Sequence, residues 1–278
     1  RPQVFETTAL GAAYLAGIQA GATIFVLLLI SKVAERSGPF MASIFLTLPM
    51  NAGPGYFFIA LEVPPEFIAQ GALMSFATVA GVLVYTGVYV QATRRCGYWT
   101  CVLIASCSWG IAAWLVSLLS ASLPNALMSI AAGAVIGVSL RRKLDVFSKP
   151  DKQTSGWMLS LIRATTGGLA VASIATTAKF LGPDLTGIAF SFPITFVATS
   201  WMLSHLYGLE FSAATIQSAQ LTVPTYASFC LVLHLAATPN IGGLSGLQAW
   251  GLAIASSLLM GLLMGIFGQR LRKLALAR

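Results

Sequence analysis

The sequence predicts an all-α fold, a polytopic transmembrane bundle of about nine helices, and three observations carry that prediction. Of 278 residues, 57% are hydrophobic and only 9% charged, where a soluble domain carries roughly 25% charged residues. The apolar residues fall in runs of about 20, the length that crosses a bilayer, separated by short polar breaks. The chain also repeats itself. Gly38-Pro39 followed by Pro49 recurs as Gly182-Pro183 followed by Pro193, and a shift of 144 positions aligns the two without a gap. The same shift places Ala34 on Ala178, Ile44 on Ile188, Glu66-Phe67 on Glu210-Phe211, Ala69 on Ala213 and Thr78 on Thr222. A repeat of this kind sets the architecture before any local detail does.

The spans are expected near 8–31, 40–60, 67–91, 98–120, 124–140, 156–178, 185–206, 211–236 and 246–268. The first begins after Arg1 and resembles a leader, but Glu6 and Gln19 interrupt it and its counterpart, the sixth, lies mid-chain. It is therefore read as a span. Spans one to four form one copy, residues 1–121, and spans six to nine form the other, residues 156–278. Residues 122–155 supply the fifth span, which has no counterpart, and a linker rich in Lys, Asp, Ser and Pro. Four spans return the chain to its starting side and the fifth carries it across. The second copy is thus expected to enter from the opposite face, an inverted-topology repeat of four plus one plus four helices.

Charge supplies the orientation. With the N-terminus outside, all of the 16 Lys and Arg except Arg1, Lys179 and Arg163 fall in cytoplasmic breaks. That bias is expected of a bacterial inner-membrane protein with a cytoplasmic C-terminus. It also explains the net charge of +8 without nucleic acid. Cys96, Cys101, Cys107 and Cys230 show no metal-ligand spacing and read as small apolar side chains.

The run Leu185-Thr186-Gly187-Ile188 through Phe192-Pro193 to Gly208, then Glu210 and Val223-Pro224, resembles the small four-helix GlpM-type inner-membrane proteins. Those are about one repeat long and carry a similar second helix of small residues and Phe-Pro. The first half departs from the pattern, with Val79-Ala80 where the second has Val223-Pro224. The resemblance implies a fused tandem of two such units. It also implies a link to envelope or metabolite physiology, without a settled substrate.

Candidate chemistry gathers at the repeated prolines. A proline within a span frees the carbonyl four residues earlier, here Phe45 for Pro49 and Ala189 for Pro193. Thr47 and Asn51 flank the first, Ser191 and Thr195 the second, and all four match under the shift. Inverted-repeat transporters hold substrate near the midplane on interrupted helices in corresponding positions. A structural kink with back-bonded hydroxyls is the alternative. Arg163 stands deep in the sixth span, opposite Gln19 in the first copy. A guanidinium there either snorkels to the interface or marks a site. No acidic residue lies at its depth, which favours an anionic or zwitterionic ligand as its partner. Gln217 and Gln220 share a face of the eighth span, where the first copy has Leu73 and Phe76. They either orient a ligand or bond across a helix contact.

No nucleotide loop, His-Glu-x-x-His helix or nucleophile elbow occurs, so neither an enzyme nor a cofactor is expected. The expected partners are the bilayer and a small solute moved by a secondary transporter or facilitator. Two other readings stand beside it. One is a scaffold that binds a membrane protein or a second copy of itself, and the other is a flippase for lipid-linked molecules.

Overall fold

The computed structural model describes residues 17–25, 28, 49, 52–142, 144 and 157–276, and every regular element among them is helical. After a helical stretch over 17–25 come α1 (Ala52–Ala60), α2 (Pro65–Ala77), α3 (Val79–Ala92), α4 (Tyr98–Ser117) and α5 (Leu123–Ser139). The second half supplies α6 (Trp157–Ser191), α7 (Ile194–Tyr207), α8 (Leu209–Ala219), α9 (Val223–Ala237) and α10 (Gly246–Leu276).

By length and composition, four stretches can cross a membrane: Pro65–Ala92, Tyr98–Ser117, Ala164–Tyr207 and Gly246–Ile266. The pair α8 and α9, bent by 41°, makes a fifth if it is one span. α5, at 17 residues, is a shorter apolar helix, as its sequence suggests. Ala164–Tyr207 is 44 residues long, about twice a crossing, and holds what the sequence divides into spans six and seven. The division falls at Gly182, whose φ of 77° is open to glycine at little cost, with Pro183 immediately after it. The Gly38-Pro39 copy of this turn and most of the 141–155 linker lie outside the described residues.

Two stretches, Pro65–Ala92 and the α8–α9 pair, are each interrupted once, the second with the sharper bend. α2 gives way to α3 at Thr78 and α8 to α9 at Thr222, and each threonine hydroxyl donates back, to Met74 O at 2.7 Å and to Ala219 O at 2.9 Å. The starts correspond as well, since α2 follows Pro64 as its cap and α8 follows Gly208. Caps and breaks of the two spans are thus 144 residues apart, the period of the sequence.

These two spans run antiparallel against each other. His234 Nδ1 lies 2.8 Å from Ala69 O, Gln220 donates to Thr86 Oγ1 at 3.0 Å, and Tyr89 and Ser212 hydroxyls are 3.0 Å apart. Two cores result. One is built chiefly from α1, α2, α9 and α10, with Tyr56, Ile68, Phe229 and Leu233 at its centre. The other is built from α3, α4, α7 and α8, with Tyr85, Tyr89, Cys101 and Phe196. Each core draws on both repeats, so the repeats are units of sequence rather than of packing. α4 and α10 turn most of their apolar side chains outward, as helices facing acyl chains do, while α2–α3 is the most enclosed span.

Candidate functional site

The break between α6 and α7 at Phe192-Pro193 is the feature the sequence singles out, and its hydrogen bonding differs from the expectation. Pro193 lacks an N–H, but the Ala189 carbonyl is not left free, because the Phe192 N–H tightens into a short turn and donates to it at 3.2 Å. Phe190 O instead accepts the Tyr226 hydroxyl of α9 at 3.4 Å. Ser191 is buried and donates to Ile188 O at 2.8 Å, the back-bonding expected of a hydroxyl in a kinked helix. Thr195 is half-buried in the first turn of α7. In the first copy Pro49 is buried and accepts from the Gly53 N–H at 2.6 Å, while Thr47 and Asn51 lie outside the described residues.

Around this break the second arm of α6 presses on α2. A side chain at Gly187 would run into the Gly71 carbonyl, so the two backbones touch. The contact places Ser75 where its hydroxyl donates to Gly187 O at 2.7 Å, with Tyr56 Oη 2.9 Å from Ser75 Oγ. Tyr56 also packs on Phe190, ring centroids 5.0 Å apart. Tyr56, Ser75 and Tyr226 therefore complete the polar surroundings of the break, and the sequence reading passed over all three. Their signal was a hydroxyl carried by an otherwise apolar helix, which does not tell a partnered group from a packing one.

Gln217 and Gln220 are occupied. Gln217 accepts from the Arg142 N–H at 2.8 Å and donates to Arg142 O at 2.9 Å. Gln220 accepts from Arg141 Nε at 2.9 Å and donates to Gly137 O at 3.1 Å as well as to Thr86. The two amides clasp the C-terminal end of α5, whose last carbonyls lack helical partners, to the eighth span. Arg142 reaches on to Val90 O and Thr93 Oγ1, each at 3.2 Å, with Glu210 3.9 Å away. Glu210 is thus beside Arg142. The opposite end of the bundle holds the Lys179–Glu62 pair at 3.0 Å and the Gln70–Asp184 bond at 3.0 Å.

Gln19 is buried and faces α6, where Thr176 Oγ1 lies 3.5 Å from its Oε1. Arg163 belongs to α6, but its side chain lies outside the described residues. Ser191, Pro193 and Thr195 are together at the break, while Gln217 and Gln220 stand apart from it at the Arg141–Arg142 end. A cleft between α2, α4 and α5, of about 220 Å³ including its open mouth, is lined by Leu73, Met74, Ser122 and Asn125. Its hydroxyls and amide are already engaged among themselves. No group of three or more His, Cys, Asp or Glu that could hold a metal occurs among the described residues. No protein-family model, curated protein or solved structure matches the chain.

Proposed function

We propose that the protein is a secondary transporter or facilitator for a small anionic or zwitterionic solute, built as an inverted-topology pair of four-helix repeats joined by α5. The observation that carries this reading is the pair of broken spans. They interrupt at residues one sequence period apart, Thr78 and Thr222, and cross antiparallel. Corresponding helices of a parallel repeat would meet at their axis side by side and in the same direction. The exchange of halves between the two cores supports the same geometry. The Phe192-Pro193 break is the second support, since irregular backbone inside a bilayer persists where protein or a water-lined cavity meets its polar groups. In this reading Thr47, Pro49, Asn51, Ser191, Pro193 and Thr195 line a midplane site, and Arg163 holds the anionic part of the solute. Gln19 completes the site from the first span, and Gln217 and Gln220 steady the span that moves. The kinship with GlpM-type proteins, a bacterial inner membrane and an N-terminus outside belong to the same proposal.

The test is uptake of labelled small carboxylates and amino acids into proteoliposomes. The parent protein is expected to carry at least one of them. Arg163→Ala, folded by gel filtration and circular dichroism, is expected to lose more than about tenfold of that rate, the least that losing one desolvated charge contact implies. A folded Arg163→Ala protein that transports at the parent rate overturns the anion site. A scaffold is the second reading, favoured by the backbone contact of Gly187 with Gly71 and by the closed clasp of Gln217 and Gln220. A parent that moves none of the panel but holds a membrane partner through its α4 face would establish it.

A further inference from the structure

Among the described residues, three buried polar atoms without a hydrogen-bond partner lie in the second core, about the seam of α3, α4 and α7: Tyr85 Oη, Trp109 Nε1 and Thr199 Oγ1. A fourth, Thr225 Oγ1, belongs to α9, at the position that corresponds to Gly81. Tyr85 is 0% and Thr199 3% exposed. Gly81 and Tyr85 stand one turn apart on the same face of α3, and the Trp109 indole covers Gly81 so closely that an added Cβ would lie 3.3 Å from Nε1. The Tyr85 ring packs on Phe196 with centroids 6.5 Å apart, and Thr199 is three residues further along α7. Trp109 meets Phe192 edge-on at 5.0 Å. The seam therefore begins at the Phe192-Pro193 break. It continues toward the Arg94 end through Tyr98 Oη, which donates to Val197 O at 2.7 Å, and through the Tyr89–Ser212–Ser200 hydrogen bonds.

Within a bilayer nothing but protein, water or solute can meet such groups, and buried polar atoms are almost always met. The atoms that would uncover them are those of α7, whose N-terminal end is already a break. An indole N–H only donates and two hydroxyls can donate, so a ligand must bring acceptors. Between those donors the walls are rings, which suit an apolar or ammonium-bearing body rather than a bare hydrated ion. We infer that the α3–α4–α7 seam is a water-accessible binding site for a small organic carboxylate, which opens when α7 swings about Phe192-Pro193. Tyr85, Trp109 and Thr199 bind the carboxylate, and Phe192 and Phe196 flank its hydrocarbon part.

This rests on the transporter reading but is tested without uptake. In a background with the four native cysteines replaced, Ala105→Cys, in the seam one turn from Trp109 and 0% exposed, and the acyl-facing Leu103→Cys, at a position 64% exposed, are treated in proteoliposomes with the impermeant reagent trimethylammonioethyl methanethiosulfonate. Ala105→Cys is expected to react at least about tenfold faster, since the reagent needs a hydrated thiolate. Millimolar sodium benzoate is expected to slow that reaction and sodium sulfate at equal ionic strength to leave it unchanged. Equal reactivity of the two cysteines overturns the inference, and so does protection by sulfate as strong as by benzoate, or by neither. Should the cysteine-free background fail to fold, thermal unfolding of the parent and Tyr85→Phe decides. Benzoate is expected to raise the parent midpoint and not that of Tyr85→Phe, while without ligand the two unfold alike. A Tyr85→Phe protein stabilised by benzoate as much as the parent overturns the site. A labelled, benzoate-protected seam in a protein that moves no solute would sink the transporter and leave this site standing.

Discussion

At the residue scale, Gly187 decides how near α6 comes to α2, because its missing side chain is what lets the backbone meet Gly71. Gly187→Ala must push the helices apart or distort them, and overpacking of this kind costs about 1–3 kcal/mol. The expected result is a lower midpoint of thermal unfolding in detergent, with Gly251→Ala, which sits inside α10 with open space around it, as the control whose midpoint is kept or raised. Gln220 is a second such residue. It satisfies Arg141, Thr86 and the Gly137 carbonyl at once. Gln220→Leu keeps the bulk and strands those three, so it is expected to lose about 1–3 kcal/mol, whereas Gln220→Glu, which retains the acceptor for Arg141, loses less. Equal stability of Gln220→Leu and the parent would show that water reaches the clasp. The polarity of Gln217 and Gln220 was legible in the sequence. Their partners were not, since Gly137 belongs to the one span that has no counterpart in the repeat and Arg142 to the segment just after it.

At the scale of elements, Phe192-Pro193 separates α6 from α7 by a turn in which the Ile194 N–H bonds to Phe192 O at 2.8 Å. Pro193→Ala restores an N–H and removes the clash that forbids a continuous helix. It is expected to join the two helices without unfolding the bundle, and to abolish solute uptake while the midpoint of unfolding is kept or raised. Unchanged uptake would mean that the break is only a bend. The prolines could be read directly from the chain, and so could the two-span content of 164–207. The breaks at Thr78 and Thr222 were visible only as matching letters. Threonine is common enough in helices that nothing local distinguishes a break there. The carbonyl made available by Pro193 also moved from Ala189 to Phe190, because the backbone tightened by one residue where the expectation assumed an ideal α-helix upstream.

At the scale of the whole molecule, the basic residues Arg94, Arg141 and Arg142 gather about one end, and Glu62, Lys179 and Asp184 lie at the other. Single cysteines at Arg94 and at Glu62, placed in intact cells, are expected to react with impermeant maleimide from opposite sides, with Glu62→Cys the externally labelled one. Labelling of both from the same side would remove the membrane-spanning arrangement. Composition by itself determined that this chain is helical and suited to a bilayer, because the length and hydropathy of a run are local properties that no distant residue alters. The period of 144 likewise belonged to the sequence alone. Only the tertiary structure decided that each core is shared between the repeats, and that Tyr56, Ser75 and Tyr226 surround the break. Those facts depend on which faces of different helices come together, as for Ser75 and Gly187, 112 positions apart. In a chain apolar on nearly every side, periodicity leaves that choice open, and close backbone approach and hydrogen bonding make it.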